Sequence, residues 1–194
     1  MTQQKVKINY NGILLLTSYL HRVYVSEQIQ HVLHKKDKGR LEEVKTMLDD
    51  VGLMRTMYEQ TQALTDTQQT KLLAMSEKVK LYMNDFFPAG EATFANKLTL
   101  VAASLYGEQA MNDGILRMFK LYGEEVKGDF EARVQFYKDR TRAMDIMVHN
   151  VEKNEDIPQQ MIDLVEQWYA NIDKQRSLVL SDMSKIDQML LYNK

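Results

Sequence analysis

Four histidines, His21, His31, His34 and His149, and 27 carboxylates, with no cysteine, are the reactive material in this chain of 194 residues. Without a thiol there is no disulfide framework, no thiolate metal site and no cysteine nucleophile. His31 and His34 stand one helical turn apart and Glu27 precedes His31 by four residues, so on a helix all three could approach one ion. Lys35 and Lys36 would repel that ion, and a fourth ligand would have to come from another helix. Two histidines and several lysines at a helix C-terminus are better read as complementing the negative end of its dipole. No glutamate has a histidine three residues on, which disfavours the di-metal carboxylate bundles. His21 and His149 are isolated, and neither has the partners of a catalytic base.

Phosphate chemistry fails a similar test. Gly123 and Gly128 have the glycine spacing of a P-loop, yet Asp129 stands where lysine must neutralise phosphate, and Glu124 and Glu125 fill the loop. Dinucleotide, zincin and nucleophile-elbow fingerprints do not occur. The adjacent pairs Glu42-Glu43, Asp49-Asp50 and Glu124-Glu125 would lie about 100° apart on a helix, which suits a solvated face better than a shared proton. The expectation is no catalytic residue, no metal and no cofactor.

Binding is the alternative to catalysis. Lys35, Lys36, Lys38 and Arg40 form a small basic patch without interleaved aromatics, and the net charge is −2, so a nucleic-acid partner is disfavoured. Thirteen methionines exceed an ordinary share. Met47, Met54, Met75, Met144 and Met183 fall on helical core stripes. Met57, Met83, Met147 and Met189 lie beside the stripes and widen them, which means either more helices packed around each one or outward methionines held for another chain. The Phe86, Phe87 and Pro88 tip is a second candidate contact for a partner. Tyr58, Tyr82 and Trp168 are the aromatics that a buried ligand pocket could use.

The elements that must position these residues are long helices, because two prolines and eight glycines supply too few turns for a sheet protein. Residues 1–11 read as an extended or frayed arm. A first helix spans about Gly12 to His34, with Gly39 as its terminal glycine, and a second runs from Gly39 or Arg40 to about Leu64. Thr65, Asp66 and Thr67 cap a third over about 66–86, which Pro88 and Gly90 end. A fourth starts near Glu91 and either kinks near Gly114 or is two helices meeting there. A fifth, N-capped by Asp129, carries the heptad Phe130, Val134, Tyr137, Thr141, Met144, Val148. A sixth, capped by Asp156 with Pro158 in its first turn, continues for about 35 residues, roughly 50 Å.

Short connections force antiparallel neighbours. The expected fold class is all-α, an elongated antiparallel bundle of five or six helices forming a single domain over 1–194. With no apolar run near the ~20 residues that cross a bilayer and no leader pattern, a cytoplasmic protein is expected. The expected function is non-enzymatic protein-protein interaction or assembly through apolar helix faces, with a protein partner or homo-oligomer. The alternatives are a ligand- or metal-binding bundle and a nucleic-acid-associated factor using the basic patch.

Overall fold

A computed structural model describes residues 7–126 and 128–192. Among the described residues the chain is all-helical apart from a two-residue ladder, with eight helices packed together. In order these are α1 (Tyr10–His34), α2 (Gly39–Thr61), α3 (Asp66–Met83), α4 (Phe94–Leu121), α5 (Gly128–Lys153), α6 (Gln159–Lys174), α7 (Arg176–Ser184) and α8 (Ile186–Leu190). Strand β1 (Lys7–Ile8) pairs antiparallel with β2 (Leu191–Tyr192), so that Ile8 faces Leu191. Of the expected N-terminal arm, residues 1–6 lie outside the described residues. Its remainder contributes β1 and the first turn of α1.

Local chemistry explains most boundaries. Asn9 accepts a hydrogen bond from the Asn11 amide and starts α1 two residues before Gly12. Thr65 and Gln68 form a reciprocal capping box on α3. The expected terminal glycine of α1 is corrected: Lys35 takes the left-handed turn at φ 54°, and Gly39 opens α2. Helix α4 runs unbroken through Asn112-Asp113-Gly114, because Asn112 Nδ2 donates to the Glu108 carbonyl within the helix and Gly114 receives Leu14. The expected 35-residue last helix is instead three, interrupted at Gln175 and Lys185, whose ψ angles of 4° and 7° leave the helical ladder. Its N-cap is Pro158, and no side chain caps it, so the Asp156 reading does not hold. A straight rod could not both bury Val165 beside α4 and bring Ile186 and Leu190 down against α1 and α3.

Helix α1 is the centre. Ile13, Leu16, Leu20, Val23 and Ile29 are buried, and α2, α3, α4, α5 and α8 all pack against it. Two neighbouring apolar stripes in its sequence therefore mean burial on both sides. The partner that lies closest is α4, whose residues Leu98 to Leu105 are all buried. Its Gly107 leaves room for the Arg22 side chain, since a Cβ there would sit 2.9 Å from Cδ of Arg22. The tetrapeptide Leu-Tyr-Gly-Glu occurs twice, at 105–108 and 121–124, in unrelated settings, with Leu105 buried and Leu121 exposed.

The chain ends meet at Gly12. The Asn9 amide donates to the Leu190 carbonyl at 2.8 Å, and a Cβ on Gly12 would lie 2.7 Å from Leu190 Cα. By contrast, a Cβ on Gly52 in α2 meets nothing within 4 Å. One substitution therefore has opposite signs at the two sites. Gly12→Ala should destabilise the protein by about 2 kcal/mol and speed hydrogen exchange over α8, whereas Gly52→Ala should stabilise it by about 0.5–1 kcal/mol. Urea unfolding of both variants checks the pair.

Candidate functional site

The interruption at Gln175 opens a cleft. Below it α1 presents Leu15, Ser18, Tyr19 and Arg22, and α4 presents Ser104, Leu105, Glu108 and Met111, each set at the three- and four-residue spacing of one helix face. Tyr137 of α5 forms one wall. Trp168, Asn171 and Ile172 of α6, Gln175, and Leu178, Val179 and Asp182 of α7 form the other. The volume of the open cleft is about 480 Å³, within the range of pockets that hold small molecules.

Its floor is polar where helices α1 and α4 cross. Ser18 donates to the Gly107 carbonyl at 2.7 Å, and Arg22 Nη2 reaches Glu108 Oε1 at 2.8 Å. The guanidinium also lies over the Tyr19 ring, 5.4 Å from its centroid. Two buried floor atoms, Arg22 Nε and Ser104 Oγ, have no hydrogen-bond partner among the described residues. Burial pushes the Tyr19 hydroxyl up, Arg22 opposes this, and Asp182 and Glu108 add to it. Burial and then Glu108 push Tyr137 up as well. Both phenols are therefore neutral at physiological pH. Trp168 stacks on Phe136 with centroids 6.0 Å apart, joining α6 to α5 beside the cleft. The lining brings the hydroxyls of Ser18, Ser104, Tyr19 and Tyr137 and the carboxylates of Glu108 and Asp182 beside apolar walls.

Of the candidate binding residues singled out from sequence, Trp168 lines this cleft, together with Tyr137 of the α5 heptad. The basic patch is divided. Lys36 Nζ lies 2.8 Å from an oxygen of the buried Glu27 carboxylate, and Arg40 lies 3.3 Å from the other. Arg40 also covers the Tyr82 ring at 4.5 Å and approaches Asp85 at 3.4 Å. Lys35 and Lys38 are exposed. Glu27 thus neutralises cations of its own chain, and His31 Nδ1 is turned to the Lys36 carbonyl. Among the described residues no group of three or more metal-ligating side chains could hold an ion. The same residues include no helix long and apolar enough to cross a membrane.

The expected partner surface is also redistributed. Met83 and Met147 are not outward: they are 0% and 1% exposed, and both belong to the core. Phe86 and Phe87 are buried edge-to-face, with the Arg176 guanidinium over Phe87, and Pro88 is half-buried. Met83 and Met147 fail as surface residues because an apolar arc widened by one position is buried when a second helix packs on that side. Met57 and Met189 remain exposed. Tyr58 stacks on Tyr10, and Tyr82 is hydrogen-bonded to Glu43 and pushed up to about 12, first by burial and then by that carboxylate. Arg22, Tyr19, Ser104 and Glu108 were not read as a site from sequence. The available signal was a lone arginine inside the apolar run of α1, together with a glycine at a helical position of α4.

Comparison with known proteins finds no matching family, no matching curated protein and no matching solved structure.

Outside the cleft, three carboxylates hold corners of the fold. Burial works to raise Glu59, but hydrogen bonds from Arg117 and Tyr10 and the charges of Arg117 and Arg55 bring it below the usual range. The hydrogen bonds from Lys78 and Tyr82 lower Glu43, and the bond from Lys80 lowers Asp187. Each folded-state value is below the unfolded one, so the stabilisation is complete at neutral pH and is lost as pH falls through the lowered values. Glu59→Gln should cost about 2 kcal/mol at neutral pH and flatten the acid limb of the stability profile, measured by urea unfolding between about pH 7 and pH 3.

Proposed function

We propose that this protein is a non-enzymatic binding protein that takes a small molecule with an apolar body into the cleft between α1, α4, α5, α6 and α7. The observation that carries this reading is the cleft itself: about 480 Å³, with aromatic and aliphatic walls over a floor whose Ser104 hydroxyl and Arg22 Nε are buried without partners among the described residues. Buried polar groups are almost always satisfied, and groups left open beside a cavity are suited to a ligand. The reading takes residues 1–194 as a single helical domain, an elongated antiparallel bundle acting in the cytoplasm.

A second reading, an interaction or assembly component that forms an oligomer or holds a protein partner, draws on apolar side chains left in solvent. Leu53 and Met57 lie one turn apart on α2 and are 62% and 36% exposed, and Leu178 is exposed beside the cleft. It has lost the support of Met83, Met147, Phe86 and Phe87. A nucleic-acid role has lost more, since Lys36 and Arg40 are engaged with Glu27.

Trp168 is the only tryptophan, so its emission reports occupancy of the cleft directly. Titration with N-phenyl-1-naphthylamine, a neutral apolar dye that accepts energy from tryptophan, should show saturable quenching of Trp168. Val179→Phe, which fills the cleft, should weaken this binding about tenfold or more without lowering the melting temperature by more than a few degrees. Absence of saturable binding, or equal binding by the variant, would count against the cleft as a ligand site. Light scattering at several protein concentrations tests the second reading, which a monomer throughout would defeat in its oligomeric form.

A further inference from the structure

The charges around the cleft specify more than an apolar ligand. Three charged residues line it, Arg22, Glu108 and Asp182. The first two pair with each other at 2.8 Å, so their charges cancel locally. Asp182 is half-buried and makes no ion pair among the described residues. Its negative charge is felt at Tyr19, whose side chain is 5% exposed and whose hydroxyl makes no hydrogen bond among the described residues. The cleft therefore carries one negative charge without an ion-pair partner among the described residues, and in the same lining a neutral phenol that can accept a hydrogen bond.

Three kinds of ligand head meet this lining differently. An anion would face two carboxylates, and the guanidinium could offer it only the buried Nε, because Nη2 is held by Glu108 and the group is seated on the Tyr19 ring. A neutral head would leave Asp182 without a counter-charge as the ligand displaced its water. An ammonium group gains a charge-assisted hydrogen bond from Asp182 and a second acceptor in Tyr19. Tyr137 and Trp168 add ring surface against which a cation or a flat apolar body rests favourably. We propose that the ligand of this cleft is a small organic amine with an aromatic or aliphatic body, its ammonium seated between Asp182 and the Tyr19 hydroxyl and its body lying against Leu15, Ile172, Val179 and Trp168. This assignment rests on the cleft being a ligand site.

The test compares three probes with one body and different heads: 4-phenylbutylamine, 4-phenylbutan-1-ol and 4-phenylbutanoate. Binding is read by Trp168 emission and by calorimetry in the wild type, Asp182→Asn and Asp182→Glu. The amine should bind about tenfold or more tightly than the alcohol, and the acid most weakly. Asp182→Asn should remove that preference while leaving the alcohol within about twofold of wild type, and Asp182→Glu, which keeps the charge, should retain it. An alcohol that binds as well as the amine, an acid that binds best, or an amine affinity untouched by Asp182→Asn would overturn the assignment. In each of those cases, continued saturable binding of N-phenyl-1-naphthylamine leaves the cleft reading standing. Loss of that dye's binding to the wild type brings down both.

Discussion

The close seam between α1 and α4 is the constraint from which the rest of the molecule follows. Gly107 and Gly114 let the α4 backbone approach Arg22 and Leu14 of α1, and Ala102 and Ala103 of α4 are fully buried nearby. A helix pair this close can bury a long run of both partners, which is why Leu98 to Leu105 leave no residue facing water. It also forces a cation into the seam. Arg22 is held at the floor of the cleft by Glu108, which meets it, and by the Tyr19 ring beneath it. The polar floor of the cleft is thus a by-product of how closely the two central helices pack.

What stands over that floor is decided by the end of the chain. Helix α8 must lie in the core, because Ile186 and Leu190 are fully buried and Leu190 is bound through its carbonyl to Asn9. Helix α6 must lie along α4, because Val165 is buried there and Lys97 reaches Glu166 at 2.7 Å. The segment between them is held at both ends and lies against little in the middle. Of α7, only Met183 is buried, and the face bearing Leu178, Val179 and Asp182 is left over the cavity. A rod of the expected length would have covered α1 and α4 evenly and left no room.

Much of the charge in the sequence that suggested partners is spent inside the fold. Glu27 draws Lys36 and Arg40 onto the end of α1, and Glu59 ties Arg117 and Tyr10 across three helices. In both places a carboxylate with a buried side chain gathers cations from other segments of the chain and ties those segments together. The basic cluster near the α1 terminus was visible as a run of lysines. That its target was a carboxylate nine residues earlier was not, because a lysine side chain carries no mark of which anion it will reach.

The all-helical class, the absence of thiol chemistry, the cap at Thr65 and the turn around Pro88 were legible from residues alone, because each depends on composition or on contacts within a few positions. Helix period also located most of the core: Leu16, Leu20, Met47, Met54, Leu72, Val79 and Met144 are buried as their spacing implies. Tertiary structure alone decided which side of each stripe a second neighbour would cover, and so buried Met83 and Met147 but left Met57 in solvent. It alone broke the last helix at Gln175 and brought Tyr19, Ser104 and Asp182, from three different helices, around one cavity. Periodicity records the direction of a face along its own axis. It carries no information about what stands opposite, and a binding cleft is made of what stands opposite.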